Sequence, residues 1–425
     1  MTDPGVAFSA LLWLGELLTL VYIGYRCGLA LLALRRRQPD PVGTGQTVFL
    51  IMVAARNEEN VIAATIRNLN ALSYPEANRS VIVVADDCTD DTVLQAQAAG
   101  ARVLVKPGPA KGKGHVIQWA LAQPEMRDAG WEALVLLDAD SLPRPDFLLY
   151  MDAAVQGGAV AMQGRSESVP QAGWVANGYA VNNSQRNRTW HLAREMAGFS
   201  AALTGTGVCL TRGLLETLPP VIKTLTEDLE YSAQLTRAGV RVRYLHEALI
   251  RIEQPHSLKS SVQQRLRWAR GQIVTTALHS PGLLLRGVRH ADLSAFDMAL
   301  YLALPSLTPF QAGMFVWAAG ELLIPGVWPN AQIDGLPAIP PWLLLAGVSL
   351  TIVVAFAGLT AEHRRVKVRD LAAFSLVMAS WLPIAVYAAM TTWVRSWNRT
   401  PHGVAAPDEA EAEERTPPVP TGTLS

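Results

Sequence analysis

Apolar residues fall into two kinds of run in this chain: long ones near both ends, and short ones of a strand's length alternating with polar loops between them. Residues 6–34 are apolar for long enough to cross a bilayer as a helix, and Arg35-Arg36-Arg37 closes the stretch. It lacks a basic start and is too long for the apolar part of a cleaved signal peptide, so residues 1–37 are read as a membrane helix. The basic cluster places the residues after it in the cytoplasm. Glu16 and Arg26 interrupt the segment, and charges inside a membrane face protein or water unless they lie near an interface.

Residues 38–47 contain two Pro and two Gly and read as a linker. A domain is expected over 48–290. Its strands are predicted at 48–54, 81–85, 101–105 and 133–137, each ending in a polar loop, with a helix carrying Val61, Ile62, Ile66 and Leu69 on one side. Such alternation predicts a parallel sheet wound with helices, with chemistry at the C-terminal ends of the strands. Beyond Asp140 the pattern is less regular: a strand at 160–163, helix within 176–196, the small-residue loop Thr204-Gly205-Thr206-Gly207, and a helix ending near Gly239.

The membrane pattern returns over 291–400. Residues 295–323 are apolar but broken by Pro305 and Pro309, and 342–360 and 371–394 come after them. The connection over 361–369 is basic and hence cytoplasmic. Counting gives three C-terminal spans, unless the Pro-broken segment is re-entrant. Residues 401–425 are acidic and Pro-rich, a composition that predicts disorder.

Composition narrows the partners. Half of the 425 residues are hydrophobic and 17% are charged, with formal net charge +0, so no bulk attraction to nucleic acid is implied. Cys27, Cys88 and Cys209 are scattered, indicating neither a disulfide scaffold nor a zinc site and suiting a reducing compartment.

The candidate chemistry begins at Asp138 and Asp140. Two carboxylates just past a buried strand can hold a hard cation such as Mg2+ or Mn2+ together with substrate phosphates, although such pairs also serve as turn formers and caps. Gly43-Thr44-Gly45 precedes a strand and is not a dinucleotide fingerprint. Lys111-Gly112-Lys113-Gly114 lacks the spacing of a P-loop, leaving a basic loop able to meet phosphate oxygens. Glu227 and Asp228 open a helix, where they either cap it or act chemically. Gln264-Arg265-Leu266-Arg267-Trp268-Ala269-Arg270-Gly271 is amphipathic and basic, suited to a lipid surface with Trp268 at the interface.

Taken in order, Asp86 or Asp87 after the second strand, Asp138-Ala139-Asp140, Thr226-Glu227-Asp228 and Gln264-Arg265-Leu266-Arg267-Trp268 resemble membrane-bound glycosyltransferase family 2. That group contains cellulose, hyaluronan and poly-N-acetylglucosamine synthases and ceramide glucosyltransferase-like enzymes. The resemblance covers residues 48–271, and Trp397-Asn398-Arg399-Thr400 resembles the family's C-terminal WxxT. Two departures stand out: Ala85-Asp86-Asp87-Cys88 replaces a common Asp-Asp-Gly-Ser run, and the first loop, Ala55-Arg56-Asn57-Glu58, lacks the usual Pro and Tyr.

The resemblance implies a GT-A type α/β fold, a Rossmann-like mixed sheet with helices on both faces, flanked by transmembrane helices. It further implies an inverting, metal-dependent transferase of hexosyl or N-acetylhexosaminyl groups. The donor would be a nucleotide-sugar, expected to be a UDP-sugar, and the acceptor a hydroxyl of a membrane lipid or growing glycan. Asp138 and Asp140 would hold Mg2+ or Mn2+, and Lys113 and Arg267 would meet the diphosphate. Asp228 would be the general base, with Glu227 beside it. Asp86, chosen over Asp87 by aligning back from Thr89-Asp90-Asp91-Thr92, would read the base with Glu58. Gln264 would fix the loop near the diphosphate, and Trp268 would pack on the acceptor sugar. The domain is expected at the cytoplasmic face of the inner membrane. Both a processive synthase and a single-transfer enzyme fit. The rival of another class is an inactive membrane-anchored scaffold, which the retained carboxylates disfavour.

Overall fold

The computed structural model describes residues 4–35, 37–127, 130–255, 257–324, 336–361 and 367–394. The 362–366 part of the basic connection, the Trp397-to-Thr400 motif and the 401–425 tail lie outside the described residues.

Strands β1 (Phe49–Ala55), β2 (Arg79–Asp86), β3 (Arg102–Lys106), β4 (Ala133–Asp138), β5 (Leu142–Pro143), β6 (Ala161–Ser168), β7 (Val208–Thr211) and β8 (Val242–Ile252) form one sheet. Their spatial order is β3-β2-β1-β4-β7-β6-β8-β5. The first four strands are parallel, as the alternation predicts. The second half is not: β7 runs antiparallel to both β4 and β6, making the sheet mixed. Periodicity did not disclose β7 because it is four residues long and directly follows Gly207. It left β8 unread because Arg243, His246 and Arg251 interrupt its apolar positions.

Side-chain alternation builds two cores. Phe49, Ile51, Val53, Val135 and Leu137 enter one layer with Ile62, Ile66 and Leu69 of the Ile62–Asn70 helix. Leu50, Met52, Leu134 and Leu136 enter the other, with Val116, Ile117 and Ala120 of the Lys113–Ala122 helix. Burial on both faces explains why these strands read as continuous apolar runs. Parallel pairing then brings the C-terminal ends of β1, β2 and β4 to one edge. The expected linker is fastened to the domain: buried Asp152 accepts from the Gly45 and Thr47 backbone N–H groups, both at 2.8 Å. These hydrogen bonds outweigh burial and hold its carboxyl below its ordinary value.

The Pro4–Leu32 helix docks on this domain, where Leu29 and Ala33 pack on Ala193. Asp297 accepts from the Tyr25 hydroxyl and from Arg194 Nε, the latter at 2.7 Å. Arg26 lies over the Trp190 ring, so it and the fully buried Glu16 face protein. Among the described residues, two helices, Val6–Leu32 and Val368–Ala389, are long and apolar enough to cross a membrane. Leu293–Leu302 and Leu304–Leu323 meet at 75° and would make a third span if they act as one. The bend precedes Pro305, whose ring and missing N–H interrupt the helical ladder.

Candidate active site

Lys113 joins the expected pieces. It stands at the start of its helix, and its ammonium donates to Asp138 Oδ1 at the end of β4 and to the Gly205 carbonyl at 2.7 Å. Gly205 and Gly207 both have positive φ (82° and 67°), which lets the Thr204–Gly207 loop turn its carbonyls this way without Cβ strain. The loop is locked from below. Gln163 Nε2 donates to the Thr206 carbonyl at 2.9 Å, and Gln163 Oε1 accepts from Thr204 N at 2.8 Å. Thr206 Oγ1 accepts from Asp138 N at 3.2 Å and pairs with Ser141 Oγ at 2.7 Å. Gln163, Thr206 and Ser141 were not anticipated; a buried Gln inside an apolar strand was the available signal.

Asp228 faces the same loop. A Cβ at Gly205 would lie 3.5 Å from Asp228 Oδ2, and a Cβ at Gly114 would lie 3.0 Å from Glu227 Cβ. Burial, and then the neighbouring Glu227 charge, push Asp228 up to about 7. Glu227 is also raised, by burial, against the pull of Lys113. Burial opposes the charge on Lys113, yet Asp138, Glu227 and Asp228 together hold its ammonium above the ordinary value. Burial also depresses the guanidinium of Arg267, against the attraction of Glu227, Asp138 and Asp228. The site therefore groups Asp138, Glu227 and Asp228 with Lys113 and Arg267.

The long Leu258–His290 helix delivers Arg267 because it is keyed into the loop before Asp228. Thr275 Oγ1 meets Thr224 Oγ1 at 2.9 Å and Thr226 Oγ1 at 3.0 Å. Glu230 Oε2 accepts from the Lys223 and Thr224 N–H groups, both at 2.8 Å, and its Oε1 lies 3.4 Å from His279 Nε2. Neither Glu230 nor Thr275 carried a sequence signal, since a carboxylate near a helix start and a helix Thr are both commonplace.

The remaining expected residues divide. Asp86 is buried and paired with Lys106 Nζ at 2.8 Å, the two side chains being 3% and 8% exposed. Asp87 has a positive φ of 55° and is 42% exposed, and its carboxylate accepts from Ala110 N at 3.3 Å. Of these two candidates Asp87 is the accessible one, and Asp86, which the alignment favoured, is buried. Glu58 is nearly buried in the β1 loop, its N–H donating to Thr92 Oγ1 at 2.7 Å. Gln264 is partly buried, and its Oε1 has no hydrogen-bond partner among the described residues. Trp268 packs beside Val175, Tyr179 and Val377, between the Trp174–Arg186 and Val368–Ala379 helices.

A divalent ion fits this donor set in one form. No group of three His, Cys, Asp or Glu side chains able to hold a metal occurs among the described residues. Asp138, ion-paired with Lys113 and with its side chain 43% exposed, and the partly buried Asp140 two residues on are the two carboxylates available to an ion that substrate phosphates would complete.

Comparisons with known proteins bear on the family and the fold. Residues 46–271 match the family described as "Glycosyltransferase like family 2". "Probable glycosyltransferase YdaM" of Bacillus subtilis is 25% identical over 243 residues, 52% of this chain and 54% of that protein. The chain thus spans about half the length of that relative. "Beta-monoglucosyldiacylglycerol synthase" of Nostoc is 24% identical over 339 residues, 77% of this chain and 68% of that protein. Among solved structures, the mannosyltransferase PcManGT from Pyrobaculum calidifontis, in complex with GDP-Man and Mn2+, has a TM-score of 0.55 at 18% identity. It covers 91% of this chain and 98% of its own, a likeness of fold.

Proposed function

Since the chain belongs to glycosyltransferase-like family 2, we propose that it moves a hexosyl or N-acetylhexosaminyl group from a nucleotide-diphosphate sugar, most simply a UDP-sugar, to an acceptor hydroxyl on a membrane lipid or growing glycan. The observation that carries this reading is the convergence of Asp138, Lys113, Asp228 and Arg267, which belong to four separate stretches of chain.

In the proposed reaction the acceptor oxygen attacks the anomeric carbon as the bond to the diphosphate oxygen breaks. The leaving electron pair stays on the nucleoside diphosphate, and the hydroxyl proton passes to Asp228. A carboxylate titrating near neutrality can both accept that proton and release it to water. A single base opposite the leaving group implies inversion. Lys113 and Arg267 supply positive charge where the diphosphate develops negative charge, Arg267 through a planar fork suited to phosphate. Asp138 and Asp140 would hold Mg2+ or Mn2+, which, when bound, polarises the diphosphate as a Lewis acid. Asp87, which is exposed, and Asp86 and Glu58 at the ends of β2 and β1 would read the nucleoside. On this reading Gln264 would fix the loop near the diphosphate and Trp268 would pack on the acceptor sugar. Docking of the domain on membrane helices supports a lipid-phase or membrane-extruded acceptor, and the basic ends of those helices support a cytoplasmic face.

The test is to offer the purified membrane protein a panel of UDP- and GDP-sugars with Mg2+ or Mn2+ and record which nucleotide is released. Activity with one donor, lost in Asp228→Asn, is the expected result. Absence of release from every donor, or an unaltered rate in Asp228→Asn, would overturn the assignment.

A further inference from the structure

Arg265 lies inside the motif helix but faces away from the carboxylates. It is fully buried, and its Nη1 donates to the Val377 carbonyl at 2.9 Å and to Ser380 Oγ at 2.7 Å. Its guanidinium lies 5.5 Å from the Trp381 ring centroid and 6.0 Å from that of Tyr179, whose hydroxyl meets Ser261 Oγ at 3.0 Å. Val377 and Ser380 mark the point where the Val368–Ala389 membrane segment breaks into the helices Val368–Ala379 and Trp381–Ala389. A carbonyl in the last turn of a helix is short of donors, and a cation there is favoured by the helix dipole.

The surroundings make this contact more than local. Leu266, Ala269 and Ile273 lie with Val262 against Ile384, Ala388 and Trp381, and Arg270 Nε donates to Thr391 Oγ1 at 3.0 Å. Arg267, Gly271 and Thr275, spaced four apart, form the opposite face: Arg267 feels the charges of Glu227, Asp138 and Asp228, and Gly271 and Thr275 pack on the Thr224–Thr226 loop. One rigid helix thus has a membrane span on one side and the proposed base on the other.

We propose that Arg265 is a positioning residue that sets the placement of Arg267 and of the Asp228 loop by fixing the motif helix to the break in the terminal membrane segment. The inference rests on the transferase reading above. The Val377 carbonyl also accepts from Ser380 Oγ at 2.7 Å, so Arg265 acts as the bridge from the motif helix to this pair. Removing the bridge frees the motif helix to shift, and a shift of about 1 Å at a reacting centre can cost about 100-fold in rate.

The experiment compares wild type, Arg265→Met, Arg265→Lys and Ser380→Ala as full-length proteins in lipid nanodiscs. It measures kcat with the donor that wild type consumes and the affinity for UDP with Mn2+ by calorimetry. Expected are a fall in kcat of at least about tenfold in Arg265→Met, partial recovery in Arg265→Lys, and a smaller fall in Ser380→Ala, with UDP affinity within about twofold throughout. Loss of UDP affinity in step with kcat in Arg265→Met would mean a general structural role and overturn the inference. Should Arg265→Met fail to fold, Ser380→Ala decides: wild-type kcat there overturns it. An active wild type indifferent to all three changes fails this inference alone, whereas a wild type that consumes no donor fails the transferase reading and this inference with it.

Discussion

Gly271 and Thr226 are in contact without room for a methyl group: a Cβ at position 271 would come within 2.7 Å of Thr226 Cγ2 and 3.1 Å of its backbone nitrogen. The glycine lets the motif helix approach the backbone that leads into Asp228. Gly271→Ala would force the two apart, at about 1–3 kcal/mol of overpacking. The expected result is a kcat at least about tenfold lower with near-normal nucleotide affinity, read by steady-state kinetics and calorimetry. A kcat equal to wild type would show that this approach does not set the site.

The titration of Asp228 fixes a pH dependence. With the carboxyl at about 7, its base form accumulates only above neutrality, so kcat/KM should rise with pH through that value. For stability the sign is opposite. In the metal-free protein the folded state holds a proton that the unfolded state gives up near the ordinary carboxylate value. This contribution is fully present below that value and is lost as pH rises through about 7. Asp228→Asn should flatten the stability profile, and any residual rate should lack the acid limb; a substantial rate with an unchanged acid limb would assign it to another group.

Lys106 and Asp86 form a buried ion pair, and removing one partner strands the other. Lys106→Met should lower stability by about 3–5 kcal/mol in chemical denaturation, and Lys106→Met with Asp86→Leu should recover much of that loss. Asp87→Asn, at the exposed position, should instead raise the donor KM with little change in stability. The reverse pattern would return the nucleoside role to Asp86.

Metal removal tests the strand-end carboxylates. Chelation should abolish donor consumption, and Mn2+ or Mg2+ should restore it. Asp138→Asn and Asp140→Asn should each raise the metal concentration needed for half-maximal rate. Full activity in excess chelator would exclude a divalent ion from the reaction.

Much of the site was legible because chemistry at strand ends leaves a local mark. Asp138 follows five apolar residues, and the parallel pairing they imply was enough to place it at the C-terminal edge of the sheet. Arg267 was legible as a type of residue in a pattern, yet its partners were not, because Glu227 and Asp228 are some forty residues away in sequence. Asp86 and Asp87 show the limit: adjacent in sequence, they differ only in which one turns inward to Lys106, and that depends on the neighbouring strand.

By itself, then, the order of residues determined the continuous apolar runs that become β1, β2 and β4, the apolar lengths near each end and the positions of the acidic clusters. These are short-range properties of a polymer in water and lipid. Only the tertiary structure decided that β7 would run backwards between β4 and β6, that Gln163 and Thr206 would hold the Gly205 carbonyl toward Lys113, and that Arg265 would face a membrane segment while Arg267 faces the carboxylates. Each of these depends on two stretches far apart in the chain packing together, and burial on a shared surface has no counterpart in the spacing of either stretch alone.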